Sequence, residues 1–478
     1  MTNLGEMALK DSFVAGKNSE GVAFRGKLLK LTRLSGVFEL YNPLAIIRFS
    51  ESLSDFKITL NDREMYSGKA AVRNLLNTGS AVVICEVTLD EAAWTDMNLA
   101  SLNGHMGLKL RSDYQDFLRE WQKLYVIRPE YKLILADMQT YFSDLRLWLD
   151  QLGLGIRAMP ANGRTDFEKE IAADLAPPIV ATMTSLFEQF EDRVLQIEPG
   201  QEAAHQLFAR RQLHPLLLCS PFLNRCYVKP LGYAGDYEMV NMMLRSPYEG
   251  DSLFAKVTNV WFIQQAPAEA HRNRIDYLVR QLISVCARAV REGRRARILN
   301  VACGPAQEVQ RFLANHEISS YADISLLDFN EETLTNTRAL MNEFKSKHQR
   351  NTTFNYIKKS VYNIVKESGK ILNDPSQPKY DFVYCAGLFD YLSNQVCQHM
   401  MNVMYEWTAP GGLLVSTNVD SSNPRRLTMD YVMDWHLIYR SGAELADVKP
   451  DTALADNCRV ISDITGVNVY LEVTKPES

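Results

Sequence analysis

Several features that would announce a chemistry are missing from this sequence. Across its 478 residues no apolar run is long enough to cross a bilayer. The opening stretch MTNLGEMALKDSFVAGKNSEG is mixed and polar rather than a charged-then-apolar leader, so a cytoplasmic location is expected. The eight cysteines, Cys85, Cys219, Cys226, Cys286, Cys303, Cys385, Cys397 and Cys458, include no CxxC pair. That spacing excludes the common zinc and redox motifs and leaves reduced, mostly buried thiols. The eight histidines form neither HExxH nor HxH, so no protein-bound catalytic metal is expected. Excess positive charge is also missing: the formal net charge of −5 argues against a general nucleic-acid binder, which needs a cationic face to neutralise phosphates.

What is present divides into three textures, because a chain of this length exceeds one ordinary core. From Gly21 to Trp94, short β-prone runs (FRGKLLKLT, SGVFELYN, AIIRFSES, FKITLND, REMYSGKAAVRNLLNTGS, AVVICEVTL) are broken by Gly, Asn, Asp and Ser, and predict a small antiparallel barrel in a domain over 1–106. From about Leu108 to Glu292 the period changes to that of helices, with Leu135, Met138, Phe142, Leu145 and Leu149 on one stripe, and with PPIVATMTSLFEQFEDRVLQI starting a helix behind its Pro pair. This helical region is set at 107–292. Within it CSPFLNRCYVKPLGYAGDYEMV cannot be one continuous helix, and 219–246 is expected to act as a lid or a structured connector. From 293 to 478 strands alternate with helices: RILNVA, ISLLDF, TTFNYIK, YDFVYCAG and GGLLVSTNV suit a parallel doubly wound α/β sheet, and CRVISDITGVNVYLEVTKP an antiparallel hairpin.

In such a sheet ligands lie beyond the carboxyl ends of the strands, where the first strand enters a helix. That turn lies in ILNVACGPAQEV, residues 298–309. A dinucleotide-binding turn would read GxGxxG; here Ala302, Gly304 and Ala306 stand at the comparable positions with Pro305 between them, which disfavours a pyrophosphate. About two dozen residues on, SLLDFN ends in Asp328, where a carboxylate accepts both hydroxyls of a ribose. The other reading of Asp328 is a helix N-cap ahead of EETL.

ILNVACGPAQEV, LLDFN, KSVYNI, YDFVYCAGLFDYL, APGGLLVSTNV and the GVNVYLEV hairpin, in that order, resemble the motifs of class I S-adenosylmethionine-dependent methyltransferases over about the last 180 residues. Asn300 and Ala302 depart from the acidic residue and glycine frequent in that family. The resemblance implies a Rossmann-like fold, S-adenosyl-L-methionine as cofactor, and a set of residues around it. Ala302, Gly304 and Pro305 would line the methionine part, and Asp328 would hold the ribose between Phe329 and Asn330. Ser360, Val361 and Tyr362 would border the adenine, and Cys385, Ala386 and Gly387 the sulfonium. VKPLGYAGDYEMVN and the helices before it resemble bacterial 3-hydroxypalmitate methyl ester synthase-type proteins, which implies a fatty-acid-type carboxylate as methyl acceptor. GKLLKLTRLSGVFEL resembles a degenerate PilZ domain: a second arginine partnering Arg25 is missing and LSG keeps only part of the DxSxxG motif. This barrel is expected to dock or to form a homodimer. Cyclic-dinucleotide binding by it is the alternative of another class.

Candidate acceptor-side residues follow from chemistry. Lys229, Tyr233, Asp236 and Tyr237 suit a lid hinged at Gly232 and Gly235, with Asp236 toward the cofactor, Lys229 and Tyr237 toward the substrate and Tyr233 at the reacting groups. Asp390, Tyr391 and His436, the last on an expected DYVMDWHLIYR helix, are candidate bases or positioning donors. Arg272 and Arg274 suit planar recognition of a carboxylate; the alternative is an exposed basic face. A hydroxyl or amine acceptor of a specialised metabolite, or another alkyl transfer or cyclisation fed by the same cofactor, stays open.

Overall fold

The computed structural model describes residues 12–32, 34–40, 47–60, 63–77, 83–90, 93–94, 127–159, 163–372 and 376–477. The expected boundary at 106/107 lies outside them. Six strands, β1 (Phe13–Lys17), β2 (Ala23–Leu31), β3 (Ser35–Leu40), β4 (Ser52–Leu60), β5 (Arg63–Asn77) and β6 (Val83–Leu89), close a barrel in the order β1-β2-β3-β6-β5-β4. Alternate residues point inward, so Phe24, Phe38, Phe56 and Tyr66 fill it.

Two expectations fail here for instructive reasons. β1 precedes the expected start of the barrel at Gly21: FVAGK carries little β signal of its own, but pairing with both β2 and β4 satisfies its two edges. AIIRFSES is not a strand over Ile47–Ser50, and only its last residue, Ser52, belongs to β4. Ile47–Ser50 is a turn, with Ser50 in the left-handed region at φ 58° and its N–H on Val72 O of β5 (3.0 Å), and Glu51 pairs with Tyr233 far along the chain.

The helical region contains Pro129–Arg157, Arg164–Val194, Glu202–Leu217, Pro221–Val228, Tyr237–Leu244, Leu253–Gln264 and Ala266–Arg291. Leu135, Met138, Phe142 and Leu149 form the buried stripe, with Leu145 partly buried beside them. The Pro177–Pro178 pair does not start its helix but lies inside Arg164–Val194. Burial of Ala172, Ala176, Ile179, Met183 and Phe187 on either side of it outweighs the lost backbone hydrogen bonds.

The last part is a seven-stranded sheet made of β7 (Ala296–Val301), β8 (Ala322–Asp328), β9 (Thr353–Lys358), β10 (Tyr380–Cys385), β11 (Thr408–Val419), β12 (Cys458–Ser462) and β13 (Asn468–Thr474), in the order β12-β13-β11-β10-β7-β8-β9. β9 to β11 are joined by parallel pairings, and β13 and β12 close the edge as an antiparallel hairpin. This mostly parallel sheet with its terminal hairpin is the arrangement that the order of apolar runs predicts, and it is the class I methyltransferase fold that the motif resemblance implies. The strand order reverses between β7 and β10, so the loops after those two strands diverge and open a cleft. The expected DYVMDWHLIYR helix stops early: a π-helical turn spans Met429–Met433, and Asp434 at φ 53° breaks it.

Candidate functional site

The loop after β7 forms the floor of the cleft. Ala302, Gly304 and Ala306 all adopt the left-handed backbone, at φ 58°, 51° and 49°. Two alanines therefore hold a conformation that glycine adopts freely, which is strain stored at the switch point. Cys303 N–H bonds to Leu327 O (2.9 Å), Gly304 N–H donates to Asp328 Oδ2 (3.1 Å) and Thr337 Oγ1 donates to Gly304 O (2.7 Å), so the loop is pinned to the second strand. A Cβ added at Gly304 would meet nothing within 4 Å. The loop thus faces open space on its ligand side.

Asp328 ends β8 and is 5 % exposed. Besides Gly304 it accepts from Asn330 N–H (3.0 Å), and burial raises its pKa above the usual carboxylate range. The N-cap of the helix Glu331–Lys347 is Asn330, whose side chain accepts from Thr333 N–H (2.9 Å). Asp328 is therefore not spent on the cap.

The cleft opens into a cavity of about 220 Å³, and Ala302, Gly304, Pro305, Asp328, Phe329, Val361, Ala386 and Gly387 are among the residues that line it. Their neighbours turn elsewhere. Cys385 is wholly buried in the sheet, Asn330 is the cap just described, Ser360 accepts from Asn363 N–H (3.2 Å) at the start of the next helix, and Tyr362 lies under Lys366.

On the opposite side Tyr233, Tyr237, Arg274, Asp390 and Tyr391 line the cavity. Tyr233 packs on Phe329 with ring centroids 5.5 Å apart, and Tyr237 donates to Glu332 Oε1 (2.9 Å). Asp390 accepts from Val419 N–H (2.7 Å), and burial pushes its pKa up to about 6. Tyr391 Oη accepts from Trp435 Nε1 (2.9 Å), which leaves its own proton to be donated elsewhere, and burial raises its pKa so that it stays protonated. Gly235, at φ 80°, approaches so closely that a Cβ there would sit 2.6 Å from that hydroxyl.

Four expected site residues have other employment. Asp236 caps the helix Tyr237–Leu244 through Met239 N–H (2.9 Å) and takes both of its short contacts with Arg225 Nε (2.8 and 3.1 Å). Arg272 donates to the carbonyls of Met243 (3.3 Å) and Ile263 (3.0 Å). Lys229 and Arg210 flank Asp434 (3.0 and 2.7 Å), and His436 has both ring nitrogens held, by Asp430 (3.1 Å) and Asp434 (3.2 Å). The two cations hold the Asp434 carboxyl well below the usual range against its burial, and the two aspartates raise the His436 pKa. None of these four lines the cavity.

Further groups line the cavity, of which Glu308, Arg48 and Phe49 carried no sequence signal. Glu308, buried in the first turn of the helix Gln307–Asn315, accepts from Asn300 Nδ2 (2.9 Å) and Tyr384 Oη (2.7 Å), and burial raises its pKa. Arg274 is 8 % exposed and packs its guanidinium on Gly387; among the described residues it forms no ion pair, and it donates from Nη2 to His271 Nδ1 (2.6 Å). Because a guanidinium only donates, His271 carries its proton on Nε2, and that buried atom has no partner. Burial and Arg274 hold the imidazole pKa well below its usual value, so it is neutral at pH 7. Arg48 and Phe49 of the N-terminal part also reach the cavity, and an apolar trough of Phe222, Met239, Met243, Trp261, Phe262 and Met433 extends it between the helical region and the sheet domain. The described residues contain no group of three or more His, Cys, Asp or Glu able to hold a metal, and none of their helices is long and apolar enough to cross a membrane.

No family model matches the sequence, and no curated protein matches it. Among solved structures it is similar to a possible exported protein from Bordetella parapertussis (17% identity, 63% of this chain and 97% of that one, TM-score 0.42). It is also similar to magnesium protoporphyrin IX methyltransferase from Synechocystis PCC 6803 with bound S-adenosylhomocysteine (12%, 44% and 84%, TM-score 0.30). A third is the N-methyltransferase NodS from Bradyrhizobium japonicum WM9 in complex with S-adenosylhomocysteine (12%, 50% and 98%, TM-score 0.30). Identity and superposition are low throughout, and the chemistry of the cleft rests on its own residues.

Proposed function

We propose that the chain is an S-adenosylmethionine-dependent methyltransferase whose acceptor is a carboxylate on an apolar chain. The observation that carries the reading is one continuous cavity, lined by Gly304 and Asp328, by the Arg274 guanidinium, which forms no ion pair among the described residues, and by the apolar trough of Phe222, Met239, Met243, Trp261, Phe262 and Met433. The residues fit the cofactor. Asp328 offers a buried carboxylate to ribose hydroxyls, Phe329 and Val361 an apolar border to the adenine, and Glu308 and Arg274 opposite charges to an amino-acid end. A turn with few free amides and no cation suits a ligand without phosphates. When bound, S-adenosylmethionine supplies a methyl group already activated by positive sulfur.

The chain's own task is then to bind, orient and desolvate. Tyr391, protonated and with its oxygen already occupied by Trp435, donates its hydroxyl hydrogen to the acceptor carboxylate; Gly235 leaves the room for it. An ionised carboxylate attacks the methyl carbon as the carbon–sulfur bond breaks, so no proton has to move. The trough takes the hydrocarbon tail. Each methylene removed from water contributes about 0.8 kcal/mol, roughly fourfold in affinity. kcat/KM measured along a series of free fatty acids is expected to climb with chain length and then level off; a flat series would count against the trough as acceptor site.

One observation favours a second acceptor class. With its pKa near 6, Asp390 is poised as a general base for a hydroxyl or amine. In that case the rate falls as pH drops through about 6, and Asp390→Asn abolishes turnover; a carboxylate acceptor leaves the variant active.

A further inference from the structure

The turn that leaves the barrel at Ile47–Glu51 is bound to several separate parts of the rest of the chain. Phe49 N–H donates to Tyr391 O (3.3 Å), Ser50 Oγ donates to Asp434 O and accepts from His436 N–H (both 3.1 Å), and Ser52 N–H donates to Gly232 O (2.7 Å). Ser50 and Glu51 are 0 % and 1 % exposed. At the tip Arg48, 5 % exposed, lies with its guanidinium 4.7 Å from the centre of the Phe329 ring and is ion-paired to Glu20. It lines the same cavity as Asp328 and Tyr233, and its buried Nε has no hydrogen-bond partner. A buried, unsatisfied donor beside the ribose-binding position is a group awaiting an acceptor.

We infer that the N-terminal barrel is a wall of the nucleoside pocket, with Arg48 a cofactor-binding residue that donates to the nucleoside and backs Phe329 by a cation–π contact. This rests on the reading of the cleft as an S-adenosylmethionine site. It makes barrel docking and cofactor binding linked equilibria: the cofactor tightens the Ile47–Ser52 turn onto the cleft, and whatever withdraws the turn weakens the cofactor.

The test uses the full chain and S-adenosylhomocysteine as probe, with calorimetric affinities for wild type, Asp328→Ala and the double variant Arg48→Met with Glu20→Gln. The double change removes both members of the ion pair, while the buried Glu51 carboxylate, which also faces Arg48, keeps the backbone N–H groups of Ser19 and Arg48. Thermal unfolding of each variant is followed alongside. Affinity of the double variant is expected to fall about tenfold or more at a native melting temperature, and hydrogen exchange at residues 47–52 is expected to slow in wild type when the probe is added. If wild type and Asp328→Ala differ while the double variant binds like wild type and exchange at 47–52 is unchanged, the barrel's role is refuted and the cofactor reading stands. If wild type does not bind the probe, both fall.

Discussion

Asp328 is the residue on which the nucleoside end of the proposed site depends, and its environment sets the size of the effect. Two backbone amides already hold it in place, and burial strips it of water, so charge-assisted hydrogen bonds to ribose form without reorganisation. Asp328→Ala is expected to weaken S-adenosylhomocysteine by about 1 to 3 kcal/mol in calorimetry; an unchanged affinity would remove it from the site. The loop offers a second prediction of opposite sign. Ala306 sits at φ 49°, where an L residue loses roughly 1 to 2 kcal/mol against glycine, part of which glycine's greater unfolded-state entropy cancels. Ala306→Gly is expected to raise stability by up to about 1 kcal/mol in urea denaturation, and a loss of stability would mean the methyl group packs usefully.

At this scale the sequence located loops better than it located side chains. Motif spacing pointed to 302–306 and Asp328, and the family resemblance to 329–330 and 385–387, but at a strand end successive residues alternate between core and cleft. So Ala386 and Gly387 face the cavity while Cys385 is buried in the sheet. Glu308 carried no signal, because a glutamate in a helix's first turn is what any helix favours. Arg272 and Arg274 looked equivalent in sequence, and helix phase separates them: one ties down backbone carbonyls and the other faces the ligand space.

Among elements, the segment between the helices Pro221–Val228 and Tyr237–Leu244 is built to approach the cleft closely. Lys229, Gly232 and Gly235 all take left-handed backbone, and Gly235 lies against Tyr391. Gly235→Ala adds a Cβ 2.6 Å from the Tyr391 hydroxyl on a backbone at φ 80°, so the segment has to shift. Turnover is expected to drop by about two orders of magnitude through misplacement of the acceptor, with little change in S-adenosylhomocysteine affinity. Equal losses in both would mean the segment shapes the cofactor end instead. Asp236 acts differently: as an N-cap paired with Arg225 it secures the segment. Asp236→Ala is expected to cost about 1 to 3 kcal/mol of stability in urea denaturation, with activity falling only as far as folding does.

The order of β-prone and amphipathic runs foretold the sheet, its hairpin and the barrel, because each element's periodicity is local. The Ile47–Glu51 turn was misjudged as a strand for the complementary reason: its partners Tyr391, Asp434 and His436 lie in the last domain, and no local pattern encodes them. The same holds for the Pro pair inside Arg164–Val194, where tertiary burial overrides local preference.

For the molecule as a whole, buried ionisable groups make stability depend on pH. Asp390 has its pKa raised from 3.8 to about 6, so the folded chain binds its proton more tightly than the unfolded chain does. The stabilisation is full below about pH 4 and is lost as pH rises through about 6, amounting to about 3 kcal/mol. Relative to wild type, Asp390→Asn is therefore expected to gain stability between pH 4 and pH 7 in urea denaturation; a constant difference would mean that Asp390 titrates normally.

The central claim is the union of a methyl-donor site with a carboxylate-and-chain site, and the product of a single transfer reaction tests it. S-adenosylmethionine labelled in its methyl group is incubated with the full chain and a mixture of long-chain fatty acids, their alcohols and their amines, and the labelled product is treated with mild alkali. The expected result is label in the fatty-acid fraction, released by alkali as methanol, as a methyl ester requires. Label held in an alkali-stable ether or N-methyl product, with none in the acids, would contradict it.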